Sequence, residues 1–390
     1  MRFPELLEQD MSEAQKVIFR HAVASPRGRL GPPTSVLLRC PALALRTQRI
    51  GDYVRFGSSL PARISEFAII ITARYWSAPY EWNAHCQLAI KAGLSVSTAT
   101  ALAAGELPAG MNEDEAAAWD FCTELHRDKQ VGDATFAPAL KQFGEQGIAE
   151  LTVLCGYYSL ISICLNLNPR AWPAGAPPQL ADLPQERVIP LRSLVGAALE
   201  TDQGPDRFPE LREEQMSEAQ RTAVREIVAG PARSVSMPIG VLLRSPELAM
   251  LVQRVAEYLR FDSGMPARLM HFAVIITARY WRSETMWHAH SRSAMEGGLP
   301  ACVVADLLAG RTPAGLQPDE EAVHRFCTEL HRDKSVTDDV FDQAMKVLGE
   351  QQTVNLMAVC GHYTLAAMAL KLARKALPAG VALVFSSPGA

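Results

Sequence analysis

The chain is written twice. Arg-Phe-Pro-Glu-Leu at Arg2–Leu6 returns at Arg207–Leu211, an offset of 205 residues from Arg2 to Arg207. Three further strings keep that offset without a gap. They are Met-Ser-Glu-Ala-Gln at Met11 and Met216, Ile-Thr-Ala-Arg-Tyr-Trp at Ile71 and Ile276, and Phe-Cys-Thr-Glu-Leu-His-Arg-Asp-Lys at Phe121 and Phe326. A register unbroken from Arg2 to about Arg170 requires both copies to share every helix and loop length, and therefore one fold. Residues 1–168 form the first copy and 207–375 the second. Residues 169–206 are rich in Pro, Gly and Ala and read as a linker crossing the surface, and 376–390, with Pro378, Gly380, Pro388 and Gly389, read as an irregular tail.

Within a copy, apolar residues recur at helical spacing, and no run alternates strictly as a half-buried strand would. The fold class expected is all-α, as two tandem helical bundles. In the first copy the pattern predicts helices over Ser12–Ala24, Ser35–Arg55, Pro61–Tyr75, Tyr80–Ala92, Ser95–Ala104, Glu113–Lys129, Asp133–Phe143 and Gly144–Leu167. Pro61 suits a first turn, where a missing N–H costs nothing, and Gly93 suits a left-handed stop.

Composition narrows the partners. A net charge of −4 offers no clustered basic surface, so neither nucleic acid nor an anionic membrane is expected, and a small neutral or acidic molecule fits better. The eight cysteines are dispersed with no Cys-x-x-Cys spacing, which argues for buried thiols in a reducing compartment rather than a redox dithiol or zinc knuckle. Met1–Ser12 carries charges of both signs and no apolar run, so a cytoplasmic location is expected. Leu151–Leu167 is apolar but is interrupted by Cys, Tyr, Ser and Asn, and reads as a buried bundle helix.

Glu81 and His85 stand four apart, so they project from one helix face within hydrogen-bonding reach. A carboxylate beside an imidazole raises its pKa and orients it for proton transfer, and Glu66 on the preceding helix is a second acid or base. Arg74 and Arg63 are candidate anchors for a substrate carboxylate, although an arginine repeated in both copies, as Arg74 is at Arg279, can equally tie helices together. Trp82 and Tyr80 would wall the pocket, whereas Trp76 and Trp281 belong to the core.

Glu66, Ala73-Arg74, Tyr80-Glu81-Trp82-x-x-His85, Ala89 and Gly93-Leu94 occur in this order, followed by Phe121, Glu124-Leu125, Phe136 and Gly156-Tyr157-Tyr158. The set resembles the carboxymuconolactone decarboxylase and alkylhydroperoxidase D superfamily over most of both copies. In the peroxidase branch a Cys-x-x-Cys pair precedes the histidine, but here those positions hold Ala78 and Glu81, so thiol-based peroxide reduction is not available. The resemblance implies the decarboxylase-like branch, whose members handle small carboxylated lactones without metal or organic cofactor. It also implies assembly into trimers or hexamers, so a fused pair is expected to form a trimer of two-domain chains.

Together these features lead to a cofactor-independent lyase or isomerase acting on a small unsaturated acid or lactone, with His85 shuttling a proton and Glu81 and Glu66 supporting it. The copies differ where it matters. Over Pro61–His85, 15 of 25 positions match Pro266–His290, yet Glu66 becomes His271, Tyr80 becomes Thr285 and Glu81 becomes Met286. His290 remains, joined by His288 and Trp287. The second copy is therefore a structural partner, a second working site built on His290, His271 and Trp287, or, with Glu284, a metal-binding site. A non-enzymatic ligand-binding or assembly protein is the remaining alternative.

Overall fold

The computed structural model describes residues 2–25, 28–170, 178–184, 188–189 and 204–385, and among these all regular structure is helical. The first half comprises α1 (Glu13–Ala24), α2 (Pro32–Leu37), α3 (Pro41–Asp52), α4 (Ala62–Tyr75), α5 (Pro79–Lys91), α6 (Val96–Ala104), α7 (Glu113–Arg127) and α8 (Asp133–Leu167). The second half repeats them as α9 (Glu218–Ala229), α10 (Met237–Leu242), α11 (Pro246–Glu257), α12 (Ala267–Trp281), α13 (Glu284–Glu296), α14 (Ala301–Leu308), α15 (Pro318–Asp333), α16 (Asp338–Leu348) and α17 (Glu350–Ala373).

Local chemistry sets the boundaries. Ser12 caps α1 by accepting from the Gln15 N–H while the Gln15 side chain returns to the Ser12 N–H, and Ser217 and Gln220 repeat this box on α9. Gly144, at φ 66°, interrupts α8 where a helix start was expected, and Gly349, at φ 81°, separates α16 from α17. The single helix expected over Ser35–Arg55 is instead three pieces. Pro41 has no N–H to continue a helix from α2 and opens α3, and α3 then widens into a π-turn over Tyr53–Gly57. A matching π-turn covers Tyr258–Asp262.

In α4 every residue from Ile64 to Arg74 is buried, so this helix is the centre of its half, with α5, α7 and α8 packed around it. The halves meet where α8 crosses α17. A Cβ on Gly156 would lie 2.5 Å from Leu365 Cβ and 2.7 Å from its Cα, and one on Gly361, the repeat of Gly156, would lie 2.6 Å from Leu160 Cβ. Glycine is required on both helices for so close an approach. The halves also meet at the Tyr75 and Tyr280 hydroxyls, again repeats of each other, which stand 3.3 Å apart.

The duplicated Arg-Phe-Pro string explains itself in three dimensions, because each copy inserts it into the other. Arg2 binds Asp338 at 2.7 Å and Phe3 packs edge-on against Phe341, while Arg207 binds Asp133 at 2.5 Å and Phe208 packs on Phe136. The described part of the linker does not cross the surface freely, contrary to the reading of its composition. Val188 and Ile189 are buried, and the Ala181 N–H donates to the Ala103 carbonyl. Its backbone carbonyls accept from buried side chains of α4 and α5 and from Arg127 of α7, which holds it against the first half. The described part of the tail, 376–385, carries no helix, and its Val384 and Phe385 N–H groups donate to Glu284.

Among the described residues two helices, Asp133–Leu167 and Glu350–Ala373, are long and apolar enough to cross a membrane, but their apolar windows are wholly buried inside the protein. Seven of the eight cysteines are buried and only Cys302 is exposed, which matches thiols used as core residues.

The helix crossing yields a paired expectation. Gly156→Ala or Gly361→Ala should destabilise the protein by about 1–3 kcal/mol through overpacking. Gly240→Ala, in a helix with open space around it, should be neutral or stabilise by about 0.4–1 kcal/mol. Chemical denaturation of the three variants checks this.

Candidate active site

His85 sits on α5, facing α4. Its Nδ1 lies 2.6 Å from Glu66 on α4, and its Nε2 lies 3.0 Å from Glu81, one turn earlier on α5. All three side chains are buried. A neutral imidazole has one donor and one acceptor nitrogen, so facing two carboxylates it satisfies both only by carrying a proton on each. Burial works against that charge, but Glu66 and Glu81 outweigh it and raise the His85 pKa from 6.5 to about 9. Burial likewise opposes ionisation of Glu66, and His85 and Arg55 overcome it, holding that carboxyl below its ordinary range.

The cluster forms one wall of a cavity of about 330 Å³, roofed by Tyr80, Tyr157 and Tyr158 and flanked by Arg29 and Arg55. Glu81 and His85 line the cavity and Glu66 does not, so Glu66 supports the imidazole from behind. Tyr158 presents an edge-to-face contact to the His85 ring at 5.2 Å. Arg55 reaches Glu66 at 3.5 Å and keeps a buried Nε with no partner among the described residues, a donor to spare for a ligand.

Other residues expected at the site are employed elsewhere. Arg74, only 1% exposed, donates to the backbone carbonyls of Ala181 at 2.7 Å and Val188 at 3.2 Å, so it ties the linker to α4 and does not face the cavity. Arg63 pairs with Asp114 at 2.7 Å and with Glu115, joining α4 to α7, and Arg268 repeats this with Asp319 and Glu320. Trp82 is fully buried and donates its indole N–H to the Pro178 carbonyl at 2.7 Å. Trp76 and Trp281 lie in the core as expected. The cations that do line the cavity, Arg55 and Arg29, were not singled out in the sequence. Arg55 had a signal, because Tyr-x-Arg-Phe recurs at Tyr53 and Tyr258, but its place at the cavity depends on the π-turn, which periodicity does not reveal.

The second half keeps the cavity and replaces the charges. His271 and His290 meet Nδ1 to Nδ1 at 2.9 Å. Burial and the charge of Arg260 lower His271 to about 4 and His290 to about 3, so this pair is neutral near pH 7. His288 is exposed, Trp287 is buried against Phe385, and Glu284 is taken up by the tail. The four-ligand metal grouping is therefore not assembled, and among the described residues no cluster of three or more His, Cys, Asp or Glu is arranged to hold a metal ion.

The fold and the site thus define an all-helical protein with a buried acid–base cluster on a cavity wall in one half. No known family model, curated protein or solved structure matches the chain.

The clamp on His85 makes stability depend on pH. A folded-state pKa raised to about 9 stabilises the protein fully below 6.5, and that contribution is lost as pH climbs from 6.5 through about 9. Denaturation midpoints of the wild type should fall across this window, and Glu66→Gln, which removes the closer carboxylate, should flatten the fall.

Proposed function

We propose that the first half is an acid–base catalytic site acting on a small unsaturated carboxylic acid or lactone, as a lyase or isomerase of the carboxymuconolactone decarboxylase-like kind that the sequence resembles. The observation carrying this reading is the imidazole of His85 held between two carboxylates on the wall of a cavity. The two repeated helical bundles are in keeping with the fold that resemblance implies, and the fused halves supply within one chain the pairing it assigns to separate subunits.

Charge and chemistry support an acidic substrate. Arg29, Arg55 and the imidazolium face two carboxylates, leaving one positive charge near the cavity, enough to take up a monoanion. Both His85 nitrogens are engaged by carboxylates, so neither offers a lone pair to a metal, and the reading needs no cofactor. Glu66 holds the ring from behind, and the Nε2 proton, shared with Glu81 on the cavity side, is the one a substrate meets.

In decarboxylation, the electron pair of the breaking C–C bond enters a conjugated carbonyl of the substrate as carbon dioxide departs. Arg55 or Arg29 stabilises the resulting enolate oxygen. The enolate carbon then takes the Nε2 proton, and His85 recovers a proton from water. In isomerisation, Glu81 removes a proton from one carbon and His85 returns one to another. The tyrosine roof limits water at the reacting carbon.

The test is incubation of the purified chain with a panel of small unsaturated acids and lactones in deuterated water, following carbon dioxide release and deuterium incorporation by NMR. His85→Gln should lower kcat on the active compound by about 10²–10⁴-fold, and Glu81→Gln should also lower it. Arg55→Ala should act mainly on KM, whereas Arg74→Lys should leave KM unchanged. Turnover unaffected by His85→Gln removes the reading.

A further inference from the structure

The second half holds a cavity of about 390 Å³ that the chemistry of the first half does not use. It occupies the place of the first half's cavity, yet no Asp or Glu lines it. The exchange of Glu66 for His271 and of Glu81 for Met286 removes both negative charges while Arg55 persists as Arg260. Arg260 has no ion pair among the described residues and lines this cavity together with His271, His290 and Tyr363. One end of the cavity is therefore cationic and rich in donors. Its body is apolar, built from Ile239, Val252, Met286, Leu365 and Leu370.

The histidine pair adds a directed donor. With Nδ1 facing Nδ1 at 2.9 Å, one neutral ring donates and the other accepts. The accepting ring must then carry its proton on Nε2, as an N–H not used in the pair. A free guanidinium beside an imidazole N–H is suited to a carboxylate, which accepts from several donors at once. The volume lies in the range of small-molecule sites, and the combination of apolar walls with a few convergent polar groups is typical of them.

We propose that this cavity binds a small apolar monocarboxylic acid, its carboxylate on Arg260 and the His271–His290 pair and its hydrocarbon or ring body among Met286, Ile239 and Leu370. The site differs from that of the first half in having no carboxylate beside its imidazoles. Its occupancy does not depend on the first half being an enzyme. The anion also stabilises a proton on the histidine pair and on His362 of α17, which lines the same cavity and is lowered to about 4 by burial, so binding takes up protons below neutral pH.

Titration of the full chain with hexanoate and with benzoate, followed by calorimetry and by the imidazole NMR signals of His271 and His290, tests the proposal. Saturable binding that shifts those signals is expected, weakened at least tenfold by Arg260→Ala, partly retained in Arg260→Lys and unchanged in Arg55→Ala. Hexylamine, with the opposite charge, should not bind. In the wild type, saturating hexanoate should also raise the pH at which the histidine pair titrates, a readout that needs no variant to fold. The proposal is overturned if neither acid perturbs His271 or His290 up to millimolar concentration, or if Arg55→Ala abolishes binding while Arg260→Ala does not. Stoichiometric zinc bound through His271 and His290 and indifferent to hexanoate also overturns it.

Discussion

The close crossing of α8 and α17 is the constraint on which the rest of the molecule hangs. Two glycines at equivalent positions, Gly156 and Gly361, let the longest apolar helices of the halves approach until a single added carbon would collide with the other backbone. The residues that follow each glycine are thereby delivered to the cavities, with Tyr158 against His85 at 5.2 Å and Tyr363 against His290 at 5.1 Å. The exchanged Arg-Phe arms lock this arrangement from outside, since Phe3 and Phe208 are each buried against the opposite half. Packing between the halves and the shape of both cavities are therefore one problem with one solution.

Upon that common scaffold the two halves carry opposite electrostatics. In the first, two carboxylates enclose an imidazole and stabilise its protonated form, despite the cost of burying charge. In the second, the carboxylates are gone, an arginine remains, and burial keeps the imidazoles neutral. The difference rests on two substitutions, Glu66 against His271 and Glu81 against Met286, in helices whose backbones repeat one another. It is the kind of divergence a tandem duplication permits, because one copy can hold the fold while the other changes its site.

Much of this was legible in the sequence, for identifiable reasons. The 205-residue register, the all-helical pattern and the break at Gly144 follow from local rules of periodicity and glycine conformation. The Glu81–His85 pair was readable because both lie on one helix, and Glu66 was placed on the preceding helix, which indeed packs alongside. The arginines were harder. Arg74 and Arg63 have the residue type of a carboxylate anchor, but their tasks are set by the linker carbonyls and by Asp114 and Glu115, which only tertiary structure brings near. Arg55 was hidden inside what looked like an ordinary helix, and a π-turn of five residues, Tyr53–Gly57, brings it to the cavity. Linker composition likewise suggested exposure, whereas the buried Arg74 and Trp82, with Arg127 beside them, donate to its backbone carbonyls.

His85 carries a proton on both nitrogens at neutral pH because two carboxylates hold it. Nitrogen-15 chemical shifts of the histidine side chains report that state directly. At pH 7 the two ring nitrogens of His85 should resonate together as an imidazolium, while those of His290 should be split into the protonated and unprotonated nitrogens of a neutral ring. A neutral His85 at pH 7, or one titrating at the ordinary histidine value, would contradict the account.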